Sequence, residues 1–512
     1  RKFLENVRSA QRGVAAGPSG RRNEHLRVLL EDEGTADDLA YFASQVASAS
    51  ITEPIRAGLA VARLTALRKV NTRGEDSGDV RGIATGDCER RLTARTMAQQ
   101  CNGDIMAATA PFQYALSTRA GVDCVALVCR LLTDDDGSKV ISSLDGIGAY
   151  DHVQRAAFFQ ELAESPELRG LIPFVRLWYG QQSHYTWVDQ AGVTHHIHQG
   201  EGVEQGDPLA PALFALAIHK SLRQAATRLE PGETLFAFLD DVYTITAKDR
   251  AVEVAAYAAD CIHYGAGVQP KLGKFGMWSR NGGGAPPGLA ELVGRLPAPP
   301  PQPIWKGDLQ PESNGLVVLG TPVGQPAFVQ KFLRDRIGVE RRFWRILPRV
   351  PDLQAAWLLL LYCAVPRANH LLRSIPPDLV QEYAQARDRG IWETFLRIIG
   401  YQEWEEDPHL PGAERVAFLP VVQGGLGLRP SSVIAPAAYW AAWADILPII
   451  IERRPCPPDA LLAALNGGGN QIHCVEQAIA AAAEVEGPEF RSKPSWALLA
   501  QGERPPQPPP EL

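Results

Sequence analysis

The sequence predicts an α+β fold, with short strands interspersed among helices up to residue 325 and helices alone beyond it. The strand-like runs, such as 235–246, are rich in β-branched and aromatic residues and are bounded by turn residues. Over 326–400 the apolar residues recur instead at the spacing of amphipathic helices. Because 512 residues exceed one ordinary hydrophobic core, we expect two to four subdomains.

Composition and charge narrow the class of protein. Hydrophobic residues make up 45% and charged residues 21% of the chain, as in soluble globular proteins. No apolar run reaches the roughly 20 residues of a membrane span, since the longest, 355–365, ends at Pro366. The eight cysteines form no Cys-x-x-Cys pair, so we expect reduced core residues and neither disulfides nor a zinc site. With a net charge of −7, any nucleic-acid binding would depend on a local basic groove.

A pair of adjacent carboxylates, Asp240 and Asp241, lies between two strand-like runs. The flanking runs predict a β-hairpin with the pair at its turn or just before it. Since successive side chains on a strand point to opposite faces, the two carboxylates cannot serve one purpose equally. The structural alternative is that the pair only forms the turn, because Asp tolerates turn geometry and bonds its own backbone.

A further carboxylate, Asp145, stands at the end of another predicted strand. The β-branched run 139–144 leads into Asp145, and small residues then turn the chain into a helix that carries Tyr150. This pattern indicates a strand whose end presents a carboxylate with an aromatic ring five positions later. The structural alternative for Tyr150 is a core aromatic beneath that helix.

Two further segments surround these carboxylates in sequence. The loop 202–211 contains Gln205 and Gly206 and runs into an apolar helix, with a proline near its first turn. Gly206 allows the backbone to approach whatever lies in front of it. Lys274 is expected at the start of a short strand.

Basic residues occur on two predicted strands near the beginning of the chain. Lys69 and Arg81 lie on either side of a Gly-containing loop, in a strand–loop–strand pattern. A solvated strand face is the plain explanation for both. The sequence alone leaves that explanation open.

Three histidines lie on a second predicted hairpin at 183–198, and they raise the question of a metal site. On alternating faces His196 and His198 point one way and His195 the other, and no third ligand is evident. We therefore interpret them as structural or as facing nucleic acid.

Nucleotidyl transfer is the chemistry that needs these pieces in this order. Two divalent ions about 3.5–4 Å apart bridge the attacking 3′-hydroxyl and the triphosphate, so carboxylates from two strands must converge. Such ions take oxygen ligands, which favours Asp over His or Cys. The segments resemble motifs A to E of a reverse transcriptase palm, with 239–241 matching the x-Asp-Asp box.

The resemblance is closest to the non-LTR (LINE-type) retrotransposon branch and covers about residues 17–430. Two departures lie outside the metal ligands, namely Glu204 where the family usually has Pro and Gly82 where it often has Pro. The matching segments are the loop 202–211 (motif B), 17–20 with Glu24 and Leu26 (the signature that opens the domain), 81–83 (the fingers Arg-Pro-Ile segment), Leu319-Gly320 (the primer grip) and 424–427 (a segment beyond the thumb).

What the resemblance implies for the fold is a right-hand polymerase with fingers, a palm built on an antiparallel sheet, a helical thumb and a helical C-terminal region. The chain begins at Arg1, so we expect a piece of a longer product. The implied boundaries are 1–16 for an upstream remnant, 17–138 for the fingers, 139–325 for the palm with a Gly/Pro-rich insertion at 281–312, 326–400 for the thumb, 401–495 for the helical C-terminal region and 496–512 for a disordered tail.

The resemblance also implies roles for single residues. Asp145, Asp240 and Asp241 would hold two Mg²⁺ or Mn²⁺ ions, with Asp145 and Asp240 as the main ligands. Tyr150 would stack under the incoming sugar and exclude a 2′-hydroxyl, and Lys274 would neutralise or protonate the leaving pyrophosphate. The remaining roles are contact with the nascent base pair and template for Gln205 and Gly206, triphosphate neutralisation for Lys69 and Arg81, and the primer grip for Leu319 and Gly320.

The implied activity is that of an RNA-directed DNA polymerase of a retroelement, working in the nucleus. Its partners would be an RNA template, a DNA primer, dNTPs and other domains of a longer polyprotein, with no membrane. One alternative is a catalytically inactive, reverse-transcriptase-derived protein that binds nucleic acid. Another is a non-polymerase interaction protein whose helical C-terminal half is the functional part.

Overall fold

The computed structural model describes residues 1–70, 76–296, 298–401, 407–469, 471–485 and 493–504. Its first part is a group of helices around the start of the predicted fingers. Helix α1 packs on α5, where Phe3 and Val7 meet Leu92 in a small core, so part of the predicted upstream remnant is folded onto the fingers. The helices of this part are α1 (Lys2–Ser9), α2 (Asn23–Val28), α3 (Glu33–Ala47), α4 (Glu53–Ala60), α5 (Cys88–Gln100) and α6 (Asn102–Thr109).

Ten strands form three sheets within the described residues. One four-stranded sheet, which we call the fingers sheet, has the order β2-β1-β4-β5, and another, the palm sheet, has the order β6-β7-β3-β8. Strands β9 and β10 form a separate pair. The strands are β1 (Val61–Val70), β2 (Asp76–Thr85), β3 (Val140–Leu144), β4 (Ser183–Val188), β5 (Thr194–Gln199), β6 (Thr234–Phe238), β7 (Asp241–Thr246), β8 (Gly276–Trp278), β9 (Gly315–Val318) and β10 (Thr321–Gly324).

The palm sheet is antiparallel throughout and buried on both faces. Because side chains alternate along a strand, Val140 and Leu144 enter one core, with helices α11 and α12, whereas Ile141 and Tyr243 enter another. Helices α7 and α19 cover that second face. The palm helices are α7 (Gly121–Asp135), α8 (Ala149–His152), α9 (Arg155–Glu164), α10 (Ile172–Tyr179), α11 (Ala210–Ala226) and α12 (Ala251–Ala266).

The thumb is a helical bundle with its own core, in which Val329, Leu372 and Trp392 are buried. A π-helical turn, Leu360–Ala364, interrupts the helical run between its second and third helices. The thumb helices are α14 (Pro326–Trp344), α15 (Leu353–Leu359), α16 (Asn369–Ser374) and α17 (Pro377–Ile398). The helices beyond the thumb are α18 (Leu410–Ala417), α19 (Ser431–Arg453), α20 (Pro458–Leu465), α21 (His473–Glu484) and α22 (Trp496–Ala500).

The expectation that no apolar stretch is long enough to cross a membrane is wrong on length and composition. Two helical stretches, Leu353–Ser374 and Ser431–Arg453, satisfy that criterion. Both are also built into cores of the protein, since Leu372 is buried in the thumb and Trp443 behind the palm sheet. A buried core helix of a soluble protein meets the same criterion, so this finding is weak evidence for a membrane span.

The predicted insertion at 281–312 and the start of the predicted disordered tail at 496–512 are both folded against the rest of the chain. Within the 281–312 insertion, Leu289–Gly294 forms helix α13, and Ile304 is buried in the palm core because its carbonyl pairs with Met277 of β8. In the predicted tail, α22 packs on α19 through buried Leu499. Apolar burial therefore overrides the Gly- and Pro-rich composition. The rest of the predicted tail, 505–512, lies outside the described residues.

Together these parts form the α+β fold that the sequence predicts. The fingers and the palm share one core, to which Leu59 of α4 and Phe214 of α11 both belong. The C-terminal helices close the opposite face of the palm sheet. Helices therefore pack on both faces of the palm sheet, including the edge where β3 ends and β7 begins.

Candidate active site

The predicted carboxylate hairpin is present. Strand β6 ends at Phe238, which pairs with Asp241 at the start of β7, so Leu239 and Asp240 form the connecting turn. Leu239 has a left-handed backbone with φ of 56°, a conformation that costs energy for a bulky residue. The surrounding structure must therefore impose this turn.

Gln113 supplies that support, and the sequence interpretation missed it. The backbone N–H of Leu239 donates to Gln113 Oε1 over 2.8 Å, and Gln113 is buried. The neighbouring backbone adds two bonds of 2.8 Å, from Ala237 N–H to the Phe112 carbonyl and from Tyr114 N–H to the Ala237 carbonyl. No local pattern marks Gln113, because its partner lies 126 residues away in sequence.

Asp145 follows the last residue of β3, and this position brings it to the same edge of the palm sheet. Leu144 pairs with Val242, the residue after Asp241, in the antiparallel β3–β7 ladder. Asp145 and Asp240 line one small recess. Lys274 lies across from Asp145, with Nζ 3.5 Å from Oδ2. The structure thus brings together Asp145, Asp240, Asp241 and Lys274, although Lys274 precedes β8 in a short 3₁₀ turn and not in the strand itself.

Burial and, after it, repulsion between carboxylates disfavour ionised side chains at this edge. Burial raises the pKa of Asp240, the charge of Asp145 raises it further, and the charges of Arg81 and Lys69 act in the opposite direction. Burial, Asp240 and Asp145 together raise the pKa of Asp241 to about 6. Both side chains reach solvent, but the surrounding protein removes enough water to disfavour their ionised forms.

The donor set fits hard divalent cations such as Mg²⁺ or Mn²⁺. All three side chains offer carboxylate oxygens, and a cation between them would relieve the repulsion that Asp145 exerts on Asp240 and Asp241. Within the described ranges, no three His, Cys, Asp or Glu side chains are already arranged to hold a metal ion.

The fingers sheet directs the predicted basic residues towards this edge. Arg81 pairs with Leu67 in the β1–β2 ribbon and is exposed. The charges of Arg81 and of Lys69, which lies near the end of β1, both reach Asp240. Exposure on a strand face therefore does not fully explain Lys69 and Arg81, because their charges also act on Asp240.

Tyr150 lies beside the carboxylates, on α8, and is half-buried. Its ring stacks on Phe214 of α11, with the ring centroids 4.8 Å apart and the planes 3° from parallel. Burial and the nearby charge of Asp240 raise the pKa of Tyr150. The ring thus packs against the palm core near Asp240, and its role towards an incoming sugar stays a prediction.

The loop containing Gln205 and Gly206 lies against the fingers sheet. Its closest approach is to Ala84 of β2, whose N–H donates to the Gln205 carbonyl over 2.8 Å. A Cβ atom at Gly206 would lie 2.2 Å from the Ala84 carbonyl oxygen, and Gly206 has φ of 137°. The close approach predicted for Gly206 is thus an approach to the fingers. The Gln205 side chain lies 3.3 Å from Asp151 Oδ1.

Leu319 and Gly320 form the turn between β9 and β10, both with left-handed backbones, at φ of 47° and 82°. Such a pair suits a two-residue hairpin. His370 of α16 lies beside the turn, with Nε2 3.2 Å from Thr321 Oγ1. The predicted primer grip is therefore connected to the thumb.

The histidine hairpin has a neighbour that the sequence interpretation did not identify. His184 of β4 lies opposite His198, and its Nε2 is 2.9 Å from Nδ1 of His196. His195 points to the other face, where it bonds Asp189 over 2.8 Å. The register between β4 and β5 places His184 beside the other histidines. A single sequence does not reveal this register.

A comparison with known protein families finds a match in part of the chain. Residues 68–268 match the family model "Reverse transcriptase (RNA-dependent DNA polymerase)". The matched segment includes Lys69, Arg81, Asp145 and Asp240 and ends before Lys274. Over these residues the chain is thus similar to the reverse transcriptase family.

Relatives were found by sequence and by structure. The chain is 22% identical over 482 residues to the retrotransposable element SLACS 132 kDa protein of Trypanosoma brucei gambiense, covering 93% of this chain and 37% of that protein. It thus spans little more than a third of that relative. Telomerase from Candida albicans in complex with a fragment of telomeric RNA aligns with a TM-score of 0.41 and 10% identity, over 79% of this chain and 65% of that one. Apo telomerase from Candida tropicalis aligns with a TM-score of 0.40 and 9% identity, over 82% and 68%.

Proposed function

We propose that this chain is an RNA-directed DNA polymerase of a retroelement, which copies an RNA template by adding dNTPs to a primer 3′-hydroxyl. The observation that carries the proposal is the convergence of Asp145 and Asp240 on one recess, from two strands of an antiparallel sheet inside the segment similar to the reverse transcriptase family. Carboxylates on two strands are what nucleotidyl transfer with divalent ions requires.

Asp145 and Asp240 would hold two Mg²⁺ or Mn²⁺ ions, with Asp241 assisting from the start of β7. Bound there, the ions would supply charge neutralisation for the attacking and leaving oxygens. Lys274, 3.5 Å from Asp145, would be released by a cation at that carboxylate and become available to the leaving pyrophosphate.

The surrounding residues would position the substrates. Arg81 and Lys69, whose charges reach Asp240, would neutralise the triphosphate from the fingers. Tyr150, supported by Phe214, would lie beneath the incoming sugar. The Gln205–Gly206 loop would contact the nascent pair and template, and the Leu319–Gly320 turn would grip the primer.

The partners are then an RNA template, a DNA primer and dNTPs. Since the chain spans 37% of its retrotransposon relative, we further propose that it works with other domains of a longer protein. We place that work in the nucleus, where a retroelement meets its target DNA.

Primer extension on an RNA template tests this function. We expect deoxynucleotide incorporation that requires Mg²⁺ or Mn²⁺ and is lost in Asp145→Asn and Asp240→Asn. Binding of the primer–template should persist in both variants, because only one charge is removed at nearly constant shape. Binding without incorporation by the unaltered chain would instead establish the inactive nucleic-acid-binding alternative.

A further inference from the structure

We propose that a buried ion pair between Arg90 and Glu204 is a positioning device, which holds the Gln205–Gly206 loop against the fingers. This inference deepens the proposed polymerase function and rests on it for its kinetic consequence. It concerns Glu204, the residue at which this sequence departs from the resembling family.

The Arg90–Glu204 ion pair has a short bond, and both side chains are buried. Arg90 Nη2 donates to Glu204 Oε2 over 2.8 Å, with side-chain exposures of 3% and 2%. The guanidinium also lies 4.6 Å from the centroid of the Trp178 ring. Arg90 belongs to α5 and Glu204 to the loop before α11, so the bond joins the fingers to the loop.

A second carboxylate completes the cluster. Asp207 Oδ2 lies 3.8 Å from Arg90 Nη2 and accepts a hydrogen bond of 2.7 Å from the Tyr179 hydroxyl. Asp207 Oδ1 accepts the N–H of Leu209 over 2.9 Å, at the start of α11. One guanidinium therefore holds both the loop and the beginning of the helix that follows it.

The loop is held on both sides of its substrate-facing residues. Arg90 holds Glu204, the residue before Gln205, while Ala84 bonds the Gln205 carbonyl and meets Gly206. Ala84 lies at the end of β2 and Arg90 at the beginning of α5, so one short stretch of the fingers makes both contacts. If the pair is weakened, the loop should separate from Ala84.

The surroundings of Glu204 support a positional role for the ion pair. Burial raises the pKa of Glu204, and its Oε1 is buried with no hydrogen-bond partner among the described residues. Replacing a buried ion pair by apolar residues is often neutral or stabilising, so such a pair is weak evidence for stability. The Pro usual in the resembling family fixes the backbone at this position with its ring. In this chain the Arg90–Glu204 ion pair restrains the loop in place of the proline ring.

The thumb provides a matched control. Arg387 Nε bonds Glu340 Oε2 over 2.8 Å, with both side chains 1% exposed. That pair is also a buried Arg–Glu bond but lies in the thumb core, away from the loop, and Glu340 has Tyr383 as a second donor. Glu204→Gln and Glu340→Gln are therefore equivalent substitutions in two places.

Hydrogen exchange of peptides containing Ala84 tests the restraint without relying on activity. We expect the Ala84 amide to exchange roughly tenfold faster in Glu204→Gln and in Arg90→Met, and at the normal rate in Glu340→Gln. Unchanged exchange in Glu204→Gln would overturn the proposal, as would the same acceleration in Glu340→Gln. If Arg90→Met does not fold, Glu204→Gln alone decides.

Steady-state kinetics then test the consequence for polymerisation. We expect the KM for dNTPs to rise about tenfold in Glu204→Gln while kcat changes much less, because Gln205 loses alignment without loss of the metal ligands. An unchanged KM together with faster Ala84 exchange would overturn the role in substrate positioning. Faster exchange in a chain that never incorporates nucleotides would support the restraint and count against the polymerase function.

Discussion

Carboxylates in the thumb and in the palm differ in what surrounds them. Glu340 of the thumb is buried and accepts bonds of 2.8 Å from both Arg387 and Tyr383. Asp240 and Asp241 of the palm instead lie near Asp145, and burial together with the neighbouring negative charges raises their pKa values. A buried carboxylate that is paired with neighbouring donors stabilises the fold. Carboxylates that repel one another are instead available to bind a cationic ligand.

Removal of a palm carboxylate should have the largest effect on activity. In Asp240→Asn we expect extension to fall on the order of 10³-fold, since electrostatic stabilisation worth several kcal/mol is lost. The unfolding temperature of the metal-free chain should stay the same or rise, because a repelling charge is removed. Single-turnover extension and thermal unfolding measure both. A destabilised but active variant would contradict the assignment.

Removal of the thumb carboxylate should give the opposite result. In Glu340→Gln we expect about 3 kcal/mol less stability, because Arg387 loses its charged partner inside the core. The kinetics of the remaining folded protein should be normal. Urea unfolding measures the loss, with Tyr383→Phe as the control that removes one neutral donor and costs about 1 kcal/mol. Normal stability in Glu340→Gln would show that the comparison is wrong.

Substitution of Tyr150 tests whether the aromatic ring near Asp240 selects the sugar. In Tyr150→Val we expect ribonucleotide use relative to deoxynucleotide use to rise about tenfold, because the ring no longer fills the space beside the sugar. Metal dependence should not change. The control is Phe214→Leu, which removes the stacking partner and leaves the Tyr150 ring in place. If the ratio stays constant while stability falls, Tyr150 is only a core aromatic.

The smallest expected effect concerns pH. Because the pKa of Asp241 is about 6, a proton competes with the metal ion near and below that pH, and the Mg²⁺ requirement should rise about twofold between pH 7 and pH 6. The folded metal-free chain binds this proton more tightly than the unfolded chain. Its stability should therefore fall as pH rises from about 4 to about 6, by at most about 1 kcal/mol given the exposure of the side chain.

Asp241→Asn should remove both pH effects. Magnesium titrations of extension rate and thermal unfolding at several pH values provide the measurements. A pH profile in Asp241→Asn identical to that of the unaltered chain would assign the proton to another group.

The sequence by itself determined the elements that carry chemistry. The Asp240–Asp241 hairpin, the strand ending at Asp145 and the loop before α11 were predictable because alternation, turn residues and helix starts are local patterns. The order of these segments was enough for the resemblance to reverse transcriptases.

Tertiary structure decided what holds those elements in place. Gln113 supports the carboxylate turn across 126 residues of sequence, and Arg90 holds Glu204 across 114. The folding of α22 against α19 and of the 281–312 segment against β8 likewise came from burial that composition does not reveal. Such partners are distant along the chain, and a single sequence records only which residues are near one another in sequence. Contacts between distant residues exist only once the chain has folded.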